Sequence, residues 1–203
     1  MHYLMDLDNT LLESYYIDEA GAFQFYWSKD FEKDFNLSPS VLDNLFTGPF
    51  LIAQQRTKNL SRFIAPFLEK YNIPLDVDGF MEYWLSRDMR VIQPVWEWIK
   101  KEKAKGHSFH IASNQPHVRM DYILEHLPEW NEVFDCVFTS ARLGVSKSEQ
   151  DFFIYAKNIL KVPYQEMCLI DDTEHNISVA KSLGMHAVLY QSVEQLEKEK
   201  PVL

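Results

Sequence analysis

Two aspartates near the start of the chain, Asp6 and Asp8, have the type and spacing that most directly suggest chemistry. The apolar run over residues 2–7 predicts a buried strand that ends in a polar loop. Residues two positions apart in an extended chain point to the same side, so the two carboxylates should share one face. Neighbouring carboxylates repel each other unless a cation or a proton neutralises them. The pair therefore predicts a metal site, an acid–base site or both, and the competing interpretation is a strand that stops in a solvated acidic turn.

Three further polar groups follow apolar runs later in the chain. They are Ser113 with Asn114, Lys147, and Asp171 with Asp172. Each group alone is equally well explained by a strand end, a solvated loop or a helix cap. Together with the first pair they supply two acid pairs, a hydroxyl and a lysine, which is the composition that a magnesium-assisted reaction at a phosphate needs.

The elements that must position these groups alternate between helix and strand from Pro94 onwards. We predict strands over 108–112, 133–139, 167–170 and 186–190, and helices over 95–105, 116–126, 149–160 and 177–183, before a charged terminal helix. Strands separated by helices of this length predict an α/β fold with a parallel sheet and helices on both faces. Ligands bind at the carboxyl ends of the strands in such sheets, where the polar groups fall.

The segment over 15–90 has a different pattern and is rich in aromatic residues. Helical spacing recurs at Phe23, Trp27 and Phe31 and again at Phe63, Phe67 and Tyr71. We predict about four helices with a small core of their own and no strand. Arg56 and Lys58 are interpreted as part of a solvated helix face. The predicted organisation is therefore a core over 1–14 and 91–203 with a helical insertion over 15–90.

Composition narrows the class of protein. The chain has 203 residues, a net charge of −10 and a pI near 5.1, which disfavours nonspecific nucleic-acid binding. Cys136 and Cys168 lie in apolar runs and are predicted to be free thiols, as in a reducing compartment. We see neither a secretion signal nor a long apolar segment, and therefore expect a soluble cytoplasmic protein without a membrane partner.

The polar groups also resemble, in order, the four motifs of the haloacid dehalogenase (HAD) superfamily. Residues 6–10 are similar to motif I, 111–114 to motif II, Lys147 to motif III, and 170–172 to motif IV. The resemblance covers nearly the whole chain. It implies a HAD-like modified Rossmann fold with a helical-bundle cap after motif I. The finer pattern is similar to the branch with sugar-1-phosphate phosphatases and the N-terminal phosphatase domain of epoxide hydrolases.

The resemblance also implies roles for individual residues. Asp6 would be the nucleophile that forms an aspartyl-phosphate, and Asp8 the general acid and base. The phosphate-binding residues would be Ser113, Asn114 and Lys147. The Mg²⁺ ligands would be Asp6, Asp172 and the backbone carbonyl of Asp8, with Asp171 nearby.

These roles predict a Mg²⁺-dependent phosphatase that hydrolyses a small phosphorylated metabolite and acts as a monomer or homodimer. Two alternatives stay open. One is a phosphomutase, which returns the phosphoryl group to a sugar. The other is a non-enzymatic phosphoacceptor, although such modules usually place the acid pair before the accepting aspartate.

Overall fold

Five parallel strands form the sheet that carries the predicted site, and two more form a hairpin outside it. The structure is a computed structural model that describes residues 1–19, 21–46, 48–56 and 59–201, so Lys58 lies outside the described residues. The strands are β1 (His2–Met5), β2 (Tyr15–Ile17), β3 (Phe23–Phe25), β4 (Ser108–Ser113), β5 (Phe134–Thr139), β6 (Met167–Asp171) and β7 (His186–Leu189). The sheet has the order β5-β4-β1-β6-β7.

The register of the central strands places their carboxyl ends side by side. Met5 of β1 pairs with Ile111 of β4 on one side and with Ile170 of β6 on the other. All the pairings in this sheet are parallel. The residues that follow these three positions therefore meet at one edge of the sheet, as the sequence predicted.

The helices all follow β3, and from β4 onwards they separate the strands of the sheet. They are α1 (Phe31–Phe35), α2 (Pro49–Arg56), α3 (Ser61–Tyr71), α4 (Val77–Arg87), α5 (Gln93–Lys103), α6 (His117–His126), α7 (Trp130–Val133), α8 (Ser140–Leu143), α9 (Gln150–Leu160), α10 (Glu174–Ser182) and α11 (Val193–Glu199), with short 3-10 helices at Tyr26–Ser28, Pro39–Asn44 and Tyr164–Glu166. The predicted α/β fold class is confirmed. No helix in the described ranges combines the length and apolar character needed to span a bilayer.

Both faces of the sheet are buried. Successive side chains of β1 point to opposite sides, and each side packs into a hydrophobic cluster. Tyr3 and Met5 belong to one hydrophobic cluster, which includes residues of α5, α6 and α11. Leu4 belongs to another cluster, which includes residues of α9 and α10. Helices therefore cover both faces, as expected for a parallel sheet.

The prediction that 15–90 contains no strand is wrong at its start. β2 and β3 pair antiparallel, with Tyr15 opposite Phe25 and Ile17 opposite Phe23. The backbone carbonyl of Asp18 accepts a hydrogen bond from Gly21, and the backbone N–H of Asp18 donates one to the carbonyl of Ala22, at 2.9 Å each. Gly21 has the positive φ of 80° that a tight turn favours. The two strands have three residues each, too few for an alternating pattern to be recognised.

After β3 the described part of the insertion consists of helices and their connections, and it has its own hydrophobic cluster. Phe67 of α3 packs there with Phe80 of α4, at 6.0 Å between ring centroids. The chain leaves and re-enters the core through adjacent segments, because Ile92 donates a backbone hydrogen bond to Leu11 at 2.9 Å. The division into a core and a cap stays a prediction, and this pairing marks where the two would be joined.

Candidate active site

Asp6 lies directly after β1 and is the centre of a cluster of charged side chains. It is 6% exposed, and its carboxylate accepts a hydrogen bond from the backbone N–H of Leu7 at 2.7 Å. Lys147, which is 1% exposed, forms ion pairs with Asp6 and with Asp171, the latter at 2.6 Å. Burial raises the pKa of Asp6, Asp171 adds to the rise, and the Lys147 ammonium opposes it. Lys147, which the sequence predicted at this site, therefore offsets part of the negative charge of Asp6 and Asp171.

A tight turn after Asp6 places Asp8. Leu11 and Leu12 donate backbone hydrogen bonds to the carbonyl of Leu7 at 2.9 and 2.8 Å. Asn9 has a left-handed φ of 52°, and its side-chain oxygen accepts the backbone N–H of Ser14 at 3.0 Å. The asparagine in the first motif thus shapes the loop that holds the two acids.

Three carboxylates are close enough to hold one cation. Oxygens of Asp6, Asp171 and Asp172 all lie within 4.8 Å of one another. Carboxylate oxygens are the donors that Mg²⁺ prefers, so these residues fit the ion that the sequence predicted.

The two acids at the end of β6, Asp171 and Asp172, have different partners. Asp171 is fully buried and accepts hydrogen bonds from Asn176 at 3.1 Å as well as from Lys147. Asp172 is less buried and accepts a hydrogen bond from the hydroxyl of Tyr15 at 2.9 Å. Burial raises the pKa of Asp172, and the Tyr15 hydroxyl opposes that rise. Asp172 is thus the more accessible carboxylate of this pair, and Asp171 is held by hydrogen bonds within the protein.

Ser113 and Asn114 lie at the same edge. Ser113 is the last residue of β4 and is 1% exposed. The side-chain oxygen of Asn114 accepts the backbone N–H of Lys147 at 2.9 Å, so it fixes the loop that carries the lysine. Phosphate binding by these two residues stays a prediction.

The carboxylate of Asp8 binds Arg119, a partner that the sequence did not predict. Both terminal nitrogens of Arg119 donate to it, at 2.7 and 3.1 Å, and Gln115 and Ser14 also donate. Arg119 is 3% exposed. It precedes the buried Ile123 of α6 by four residues and therefore falls on the buried face of that helix. An arginine on a buried helix face requires an anionic partner, so the position of Arg119 in the helical pattern could have indicated this contact from the sequence.

Arg119 also binds Asp88, which follows α4. The two side chains form an ion pair at 3.0 Å, and Trp84 donates a hydrogen bond to Asp88 at 3.0 Å. Burial raises the pKa of Asp88 to about 7 although Arg119 opposes the rise. One guanidinium therefore links the motif I loop to the end of the insertion.

The same contact sets the charge of Asp8. Burial alone would raise the pKa of Asp8, but the Arg119 guanidinium and the hydrogen bonds from Arg119 and Ser14 outweigh it and hold the pKa below its ordinary value. Asp8 is therefore ionised at neutral pH. An ionised carboxylate is ready to accept a proton from water and must first be protonated to act as an acid.

Comparison with known proteins gives a family match and similar folds. The family described as haloacid dehalogenase-like hydrolase matches residues 1–184. A HAD family enzyme of Bacteroides thetaiotaomicron, solved in complex with magnesium and inorganic phosphate, is similar in structure with a TM-score of 0.67 and 18% identity over 94% of this chain and 93% of that chain. An L-2-haloacid dehalogenase has a TM-score of 0.66 and 15% identity over 92% of this chain and 82% of its own.

A curated relative is similar in sequence over a shorter stretch. Drimenol cyclase drtB of Aspergillus calidoustus is 28% identical over 79 residues, which is 39% of this chain. The match spans only 15% of that relative's length.

Proposed function

This chain belongs to the haloacid dehalogenase-like hydrolase family, and from that premise we propose that it is a Mg²⁺-dependent phosphatase acting on a small phosphorylated metabolite. The observation that carries the proposal is the position of Asp6. Its buried carboxylate pairs with Lys147 and has an oxygen within 4.8 Å of oxygens of Asp171 and Asp172. A second carboxylate, Asp8, follows two residues later. This arrangement supplies a nucleophile, a cation to bind phosphoryl oxygens and a proton carrier.

In the first step a carboxylate oxygen of Asp6 attacks phosphorus, and the bond from phosphorus to the alcohol oxygen breaks. The alcohol oxygen takes up a proton, for which Asp8 is positioned once it is protonated. Lys147 binds an oxygen of the transferring phosphoryl group, which weakens its contact with Asp6 and frees that carboxylate to attack. The product is an aspartyl-phosphate on Asp6.

In the second step Asp8 removes a proton from water, and the water oxygen attacks phosphorus while the bond to Asp6 breaks. The Arg119 contact favours this step because it keeps Asp8 ionised. The same contact works against proton donation in the first step. We therefore expect esters with good leaving groups to react fastest.

The carboxylates of Asp6 and Asp172 and the backbone carbonyl of Asp8 would hold Mg²⁺, with Asp171 beside them. When bound, the ion supplies positive charge that offsets repulsion between the acids and the phosphate.

The experiment that tests the proposal measures phosphate release from an aryl phosphate across a Mg²⁺ titration. The wild type should turn over only with the metal, and Asp6→Asn should lower kcat by roughly a thousandfold or more. Asp151→Asn is the matched control because Asp151 is an exposed aspartate on α9. It should keep wild-type activity.

Three other outcomes would contradict the proposal. Transfer of the phosphoryl group between positions of a sugar, without phosphate release, would establish the phosphomutase. A stable phosphorylated Asp6 without turnover would establish the phosphoacceptor. Halide release from a 2-haloacid, with no phosphatase activity, would establish a dehalogenase, a reaction that needs no proton donor.

A further inference from the structure

A cavity of about 250 Å³ lies beside the acidic site and has a largely aromatic wall. We call it the aromatic pocket and define it by its apolar lining residues, Phe23, Phe25, Trp27, Phe46, Leu51 and Trp84. The volume is slightly below the range of about 300 to 1,000 Å³ that is usual for ligand sites. The cavity therefore suits a small group.

The aromatic pocket borders the residues that would perform the reaction. Asp8 and Tyr15 are part of its wall. Asp8 follows Asp6 by two residues, and the Tyr15 hydroxyl donates to Asp172 at 2.9 Å. A phosphate placed at Asp6 would direct its alcohol portion towards this cavity.

The polar side chains of the wall already bind one another. Gln115, Ser14 and Arg119 all donate to Asp8, and Arg119 also pairs with Asp88 at 3.0 Å. Two polar atoms of this wall, Oδ1 of Asp88 and Nε of Arg119, lack a partner among the described residues, but both are covered from solvent. A sugar would need several donors and acceptors that this part of the wall does not offer.

The aromatic rings are held in fixed positions and still present apolar surface. Phe25 packs on Phe46 at 4.8 Å between ring centroids, and Trp84 packs on Phe46 at 5.0 Å. Phe23 and Leu51 remain 45% and 41% exposed. A ligand that covers this surface gains hydrophobic stabilisation without ordering the wall first.

We infer that the substrate is a phosphate ester of an apolar alcohol, with an alkyl or aryl portion that fills the aromatic pocket. This inference rests on the proposed phosphatase function and narrows its substrate class. The hairpin and the helical part of the insertion would then select the substrate.

The test compares esters whose leaving groups are matched primary alkoxides, so that only the shape and polarity of the alcohol differ. We expect kcat/KM to rise from butyl to hexyl to octyl phosphate by about fourfold for each methylene that enters the pocket, until the pocket is full. Hexyl phosphate should exceed glucose 6-phosphate by about tenfold or more.

A pair of variants locates the effect in the aromatic pocket. Phe23→Ala should lower the ratio of kcat/KM for hexyl phosphate over that for glucose 6-phosphate by about fivefold. Ile17→Ala is the matched control, because Ile17 pairs with Phe23 across the hairpin and is 63% exposed but does not line the cavity. It should leave the ratio unchanged.

Two results would overturn the inference in distinguishable ways. Equal or faster turnover of glucose 6-phosphate, with an active enzyme, would overturn the apolar substrate class alone. No turnover of any ester, including an aryl phosphate with Mg²⁺, would overturn the phosphatase function and with it this inference.

Discussion

Arg119 connects two acids that the sequence keeps far apart. It forms ion pairs with Asp8 at 2.7 Å and with Asp88 at 3.0 Å, and all three side chains lie close to the aromatic pocket. The sequence predicted the acids at the sheet edge, because strand ends and motif order are local patterns. It did not predict Arg119 as their partner, because that contact depends on how α6 and the end of the insertion pack together.

Replacement of Arg119 should destabilise the fold. Arg119→Met should lower the free energy of unfolding by about 3 to 5 kcal/mol, because two carboxylates lose their buried counter-charge. Adding Asp88→Asn should recover part of that loss, because it removes one of the uncompensated carboxylates. Urea unfolding of the wild type, both single variants and the double variant measures the coupling. If the changes in the free energy of unfolding of the two single variants simply add in the double variant, the ion pair between Arg119 and Asp88 does not cause the loss of stability.

At the scale of elements, the hairpin is where the sequence prediction was wrong. Its strands carry Phe23 and Tyr15, which line the aromatic pocket, and Tyr15 also binds Asp172. The aromatic stripe through Phe23, Trp27 and Phe31 was interpreted as one helix face. In the structure Phe23 lies in β3, while Trp27 and Phe31 lie in a 3-10 helix and in α1. Helical spacing across a strand and two short helices is a coincidence that a pattern alone does not resolve.

The hydrogen bond from Tyr15 of the hairpin to Asp172 predicts an effect on metal binding. Tyr15→Phe should weaken the apparent Mg²⁺ affinity by about tenfold, because Asp172 loses the hydrogen bond that orients it. Stability should change by only about 1 kcal/mol. A Mg²⁺ titration of phosphatase activity measures the effect, with Tyr16→Phe on the same strand as the control. An unchanged titration curve for Tyr15→Phe would show that the hydroxyl does not orient the ligand.

The sheet itself should be sensitive to acid through His110 of β4. His110 is 2% exposed, and burial, with smaller contributions from charges including His2, lowers its pKa from 6.5 to about 4. The folded state therefore binds this proton less readily than the unfolded state. The contribution to stability is present above pH 6.5 and is lost as the pH falls towards 4.

The size of this effect follows from the two pKa values. Between pH 7 and pH 5 the free energy of unfolding should fall by about 2 kcal/mol from His110 alone. His110→Gln should flatten the pH dependence by that amount, as measured by urea unfolding at each pH. A variant with the same slope as the wild type would show that other groups cause the acid sensitivity.

The whole molecule combines a parallel sheet that could be predicted with an insertion whose detail could not. Alternating helix and strand patterns predicted the parallel sheet, and the structure adds that β1 is its central strand, between β4 and β6. This central position places Asp6 between the end of β4 at Ser113 and the end of β6 at Asp171. Composition and helix-breaking residues such as proline and glycine predicted the insertion's helices. The pocket that these helices form with the hairpin depends on tertiary packing.

Asp6 should become phosphorylated during turnover if the proposed mechanism is correct. The most direct test is intact-mass measurement and peptide mapping of Asp8→Asn after rapid acid quench with Mg²⁺ and an aryl phosphate. An aryl leaving group needs little help from an acid, whereas hydrolysis of the aspartyl-phosphate lacks its base, so the intermediate should accumulate. We expect one phosphoryl group on the peptide that contains Asp6 and none on Asp6→Asn. Phosphate release by the wild type with no phosphorylated Asp6 in either protein would contradict the account.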